Sequence, residues 1–134
     1  MRMILGLGLA MGLAATLAGS AMAEVPTEVK MLKGQKVTVY IQPFLNADEL
    51  KMLRLVQTNK QALQLFVTSS GGYSAMAASP GDGLVRDGGF PASAIAIGDL
   101  PDAATASAAA LKACNAKRKS SEACVIVLEV GPAS

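Results

Sequence analysis

"LKACNAKRKSSEACVIVLEV", residues 111 to 130, decides how the second half of this chain is read. It joins the end of an alanine-rich segment to a basic, serine-containing stretch and then to an apolar run rich in β-branched residues. Cys114 and Cys124, the two cysteines of the protein, stand at the two junctions. Backwards from Cys114, "PDAATASAAALKACNAKRK" predicts a helix, because alanine loses no side-chain freedom on entering one. Pro101 near its start and Lys117, Arg118 and Lys119 at its end suit the helix macrodipole. Ala104, Ala108, Leu111 and Cys114 mark a narrow apolar stripe that lets the helix lie close on a sheet. Forwards from Cys124, "CVIVLEV" predicts a central strand buried on both faces and ended by Gly131-Pro132.

What the two cysteines do depends on where the protein resides. The chain opens with Arg2, an apolar stretch from 4 to 18, and Ala21-Met22-Ala23, the order of a secretory signal peptide cut before Glu24. Residues 1 to 23 are therefore expected to be removed, leaving no membrane anchor and a periplasmic or secreted protein. That leaves 134 − 23 = 111 residues, enough for a single domain. Of the 12 basic residues one (Arg2) is lost and all 10 acidic residues stay, so the mature net charge is 11 − 10 = +1. A charge so near zero argues against nucleic acid as a partner. In an oxidising compartment a disulfide between Cys114 and Cys124 is the simplest reading. A thioredoxin-type pair wants C-x-x-C, and a zinc site wants four ligands where the chain offers two Cys and no His. A redox role, or a metal site completed by carboxylates, stays as the alternative.

Between the leader and the opening stretch, residues 24 to 34 are polar, broken by Pro26 and Gly34, and read as an N-terminal lead-in to a domain spanning 35 to 134. "QKVTVYIQP" alternates as a half-buried strand and stops at Pro43. Asn46 and Glu49 have capping-box spacing, and Leu45 and Leu50 the spacing of a hydrophobic staple, so a helix is expected from there. Its apolar face carries Leu50, Leu53 and Val56, flanked by Met52 and Leu55. Leu63, Leu65 and Val67 alternate as a strand, Ser69-Ser70-Gly71-Gly72 as a turn, and Tyr73 to Ser79 as the returning strand. "PGDGLVRDGGFP" reads as a loop with turns at Asp82-Gly83 and Asp87-Gly88, and "ASAIAIGDL" as a further short strand. The class is α+β, a mainly antiparallel sheet with two helices packed on it. Its order is that of a ferredoxin-like split β-α-β with an extra strand.

Reactive constellations are missing. Without histidine, Ser-His and Cys-His nucleophile systems are excluded, and no phosphate-binding G-x-x-x-x-G-K-[ST] loop occurs. No cofactor is expected and no catalytic residue can be named. Asp82 and Asp87 lack EF-hand spacing and read as turn residues rather than Ca²⁺ ligands. The 79 to 91 loop is the candidate binding segment, since long loops on small scaffolds carry function. It holds Asp82 and Asp87, Arg86 as its one cation and Phe90 as its one aromatic. The expected function is an exported, non-catalytic periplasmic module for a partner or small ligand, with a thiol–disulfide accessory or small enzyme acting through Cys114 and Cys124 as the alternative.

"GYSAMAASPGDGL" followed by "ASAIAIGDLPDAATASAAALKACNAKRKSSEACVIVLEVGP" resembles a group of small exported bacterial proteins of uncharacterised function. The A-x-x-A-L-x-x-C-N helix leading into a C-V-x-V-L-E strand is the most specific part. The resemblance spans roughly half of the mature chain and implies an exported location but no catalytic residues. Some such proteins carry the label aminolevulinate synthase. That enzyme is a large pyridoxal-phosphate fold, which 111 residues cannot build.

Overall fold

The computed structural model describes residues 25–66 and 72–133. The leader, the cut before Glu24, Val67 and the Ser69–Gly71 part of the expected turn lie outside them. The opening stretch folds as its composition demands. Asp102 caps the helix α3 (Ala103–Lys117), its carboxylate accepting the Thr105 N–H at 2.7 Å. The strand β5 (Val125–Pro132) follows and is flanked on both sides within the sheet. The buried stripe of α3 is Ala106, Ala110 and Cys114, whereas Ala104 and Ala108 are exposed. A helix made largely of alanine has no apolar contrast to fix its rotation, so the sheet beneath sets the phase.

Residues expected as a lead-in form a strand instead. β1 (Thr27–Leu32) and β2 (Gln35–Tyr40) are an antiparallel hairpin with partners from Thr27↔Tyr40 to Leu32↔Gln35. Its two-residue connection, Lys33 (φ 52°) and Gly34 (φ 77°), is left-handed at both positions, as a type I′ turn requires. α1 (Ala47–Thr58) begins with the anticipated reciprocal cap: Glu49 N–H donates to Asn46 Oδ1 at 2.8 Å and Asn46 N–H to Glu49 Oε1 at 2.9 Å. The buried Gln57 donates to the carbonyls of Val37 and Glu28, fastening α1 across the hairpin.

The segment read as a strand through Leu63 and Leu65 is the helix α2 (Lys60–Phe66). Asn59 ends α1 and also caps α2, its side chain accepting the Ala62 N–H at 2.9 Å. Lys, Gln, Ala and Leu are all strong helix formers, and over seven residues that outweighs a two-residue alternation. The alternation was also not a common face: Leu63 is 2% exposed and Leu65 89%.

β3 (Tyr73–Ala78) and β4 (Ile95–Leu100) complete a five-stranded sheet of order β1-β2-β5-β3-β4, antiparallel at every pairing. Since β2 and β3 both oppose β5, they run parallel with β5 between them. By the same argument β4 and β5 run parallel with β3 between them. Both β-α-β units are therefore split, and the extra strand is β1 at the edge rather than one inside the series.

The three helices of the described residues divide between the two faces of the sheet. One face gathers Val37, Val39, Met76, Leu128 and Val130 beneath Leu53, Val56 and Leu63 of α1 and α2. The other sets Ala75 and Ala77 against Ala106, Ala110 and Cys114 of α3. A register shift opposite Met76 and Ala77 leaves Val127 unpaired and turned into the larger core.

Candidate functional site

The loop after β3 is docked at both ends rather than free. Ser79 Oγ donates to the Glu122 carbonyl at 2.7 Å and lies 2.8 Å from Ser120 Oγ. Asp82 accepts from Lys119 N–H (2.9 Å), Ser120 N–H (3.0 Å) and Ser93 Oγ (2.7 Å), joining the loop to the segment between the two cysteines. Those hydrogen bonds, the Lys119 amide first, hold the Asp82 carboxyl below its ordinary value. Asp87 (φ 54°) and Gly88 (φ 81°) form the expected turn, closed by the Arg86–Gly89 main-chain pair. Asp82, Arg86, Asp87 and Phe90 thus do not converge on one point.

Glu49 has a second task besides capping. Its Oε2 accepts Leu84 N–H (2.8 Å), Val85 N–H (2.9 Å) and Arg86 Nε (3.2 Å), while Leu84 is fully buried in the core. Burial of Glu49 would raise its carboxyl, but the amides of Asn46, Val85 and Leu84 and the Arg86 guanidinium outweigh it, so the group sits below its ordinary value. The single cation of the loop is therefore an ion-pair partner at 3.2 Å.

With the loop fixed in this way, an apolar cleft of about 470 Å³ opens beside it. Met76, Ala96 and Leu128 of the sheet form its floor, Met52, Leu53, Leu55 and Val56 of α1 one wall, and Ala62 and Leu65 of α2 the end. Phe90 and Ala94 close the loop side. Three rim residues carry much apolar surface into solvent: Leu55 at 50% exposure, Leu65 at 89% and Phe90 at 55%. The volume falls inside the range of roughly 300–1,000 Å³ usual for small-ligand sites. Among the described residues its lining offers no acidic, basic or hydroxyl side chain.

Cys114 and Cys124 form a disulfide, with Cα atoms 6.2 Å apart and exposures of 0% and 7%. It ties the end of α3 to the start of β5, and Asn115 Oδ1 adds a 2.9 Å hydrogen bond from Cys124 N–H. Among the described residues no group of three or more His, Cys, Asp and Glu is placed to hold a metal, and no helix is long and apolar enough to cross a membrane.

No family model, curated protein or solved structure matches this chain. Of the four loop residues singled out in the sequence, Phe90 alone lines the cleft. In the sequence Met52 and Leu55 read as flanks of the apolar face of α1, and nothing local marks them as cleft residues. Leu65 was hidden by the strand reading, since only a helix turns it away from Leu63 and toward the rim.

Proposed function

We propose that this protein is an exported, non-catalytic binding module whose ligand is apolar and enters the cleft between α1, α2 and the sheet. The observation that carries this is a lining whose described side chains are all apolar, with Leu55, Leu65 and Phe90 left in solvent at its rim. Export rests on the leader-like first 23 residues and on a cysteine pair suited to an oxidising compartment. Burial of both cysteines favours a mechanical staple over thiol exchange, because an attacking thiolate needs access to sulfur.

Titration with an anilinonaphthalene sulfonate dye tests the binding reading. One saturable site is expected, with Leu55→Glu weakening the dye about tenfold or more while leaving the unfolding midpoint almost unchanged. Leu55 is half exposed, so its replacement removes little core, yet a carboxylate on the cleft wall must be desolvated by an apolar ligand. Equal dye affinity in both proteins would defeat the proposal.

A further inference from the structure

The two edges of the sheet are treated differently. β4 is irregular: its pairing with β3 shifts between Tyr73 and Ala75, and Asp99 takes a left-handed conformation (φ 62°). Such an edge resists further pairing. β1 has neither device. Its six residues pair with β2 without a break and contain no proline, and Val29 and Met31 are 51% and 59% exposed.

Among the described residues the main chain of β1 is also unpaired on one side. Leu32↔Gln35 closes the two-residue turn, so the even-numbered residues of β1 exchange hydrogen bonds with β2. The bond from Ile41 N–H to the Pro26 carbonyl, 2.9 Å, continues this phase. Thr27, Val29 and Met31 consequently aim their N–H and C=O groups outward.

We propose that β1 pairs antiparallel with β1 of a second copy of this chain, about a two-fold axis at Val29, joining two five-stranded sheets into one. The occupant is specified by the sequence of the strand itself. Centred on Val29, the pairing sets Glu28 against Lys30 twice, Val29 against Val29 and Thr27 against Met31. Centring on Glu28 or on Lys30 instead would oppose like charges at the axis. Glu28 is already held in place by Arg54, at 2.9 and 2.7 Å, so its carboxylate is positioned before the partner arrives. The outward N–H groups of Thr27, Val29 and Met31 are the ones this register uses.

Analytical ultracentrifugation of the purified protein over a wide concentration range tests the proposal. The wild type is expected to reach twice the monomer mass and to dissociate more readily at high salt. Val29→Pro removes only an outward N–H and should give a monomer with the native circular dichroism spectrum. Lys30→Glu sets like charges together at both ends of the pairing and should raise the dimer dissociation constant about tenfold. Should Val29→Pro fail to fold, Lys30→Glu decides alone. A wild type that stays monomeric to its solubility limit overturns the proposal, as does a dimer indifferent to both substitutions.

Discussion

Asn46 and Glu49 share a capping box, yet their positions in the molecule give them unequal weight. Asn46 is exposed and satisfies one amide, so Asn46→Ala should cost about 0.5–2 kcal/mol in urea unfolding. Glu49 is fully buried and serves the cap together with Leu84, Val85 and Arg86. Glu49→Gln turns an NH₂ group toward those donors and leaves Arg86 without its charge partner, for a cost of about 2–4 kcal/mol. Amide exchange discriminates the two roles: Leu84 and Val85 should exchange faster in Glu49→Gln and not in Asn46→Ala. Equal losses in both variants, with those amides still protected, would show that Glu49 is a cap and no more. The sequence disclosed the cap through local spacing. It could not disclose the loop contact, because residues 49 and 84 are brought together only by the fold.

At the scale of elements, the disulfide and the candidate loop are mechanically joined. The segment between Cys114 and Cys124 supplies the Lys119 and Ser120 amides to Asp82 and the Ser120 and Glu122 oxygens to Ser79. Replacing both cysteines with serine should lower stability by about 2–4 kcal/mol through the freed unfolded chain. It should also increase amide exchange at Lys119 and Ser120, and leave the strand amides of β2 and β5 protected. Loss of the whole far-ultraviolet spectrum at room temperature would mean that the staple holds the fold and not merely the loop. α2 shows how element identity is decided at short length. Seven residues carry too few turns for a period to be read, and Asn59 fixes the outcome by capping the Ala62 amide.

For the whole molecule, ionisation limits stability at both ends of the pH scale. Glu28, Glu49, Asp82 and Asp102 all sit below their ordinary values, chiefly through hydrogen bonds to charged or main-chain donors, which in Glu49 outweigh its burial. In each case the unfolded chain takes up its proton first as pH falls. Their contribution is thus complete above the unfolded values of about 4.3 for Glu and 3.9 for Asp, and is lost on descending through the folded ones. Tyr40 acts at the other limit. Burial first, then its 2.6 Å hydrogen bond to Glu129 and that group's charge, push its phenol up to about 12. The folded state therefore keeps a proton that the unfolded state releases near pH 10, and stability declines between about pH 10 and 12. Denaturation midpoints across pH should form a plateau with an acid slope and an alkaline slope, and Tyr40→Phe should lack the alkaline contribution of this phenol. An alkaline limb identical in that variant would refute the assignment.

The sequence by itself determined what local chemistry can determine. The α+β class, the Asn46–Glu49 cap, the turn at Asp87-Gly88, the alanine helix and the buried last strand follow from propensity, spacing and the left-handed freedom of glycine. The cysteine pairing was legible too, because two cysteines in a chain without histidine leave few other uses. Tertiary structure alone decided the rest. β1 was obscured because its alternating Val29 and Met31 face solvent and its one neighbour pairs through main-chain groups that any sequence supplies. The rotation of α3 depended on where Ala75 and Ala77 lie. The cleft lined by Leu55, Leu65 and Phe90 exists only where two helices, a loop and the sheet meet, since burial is a property of assembled surfaces and not of any residue along the chain.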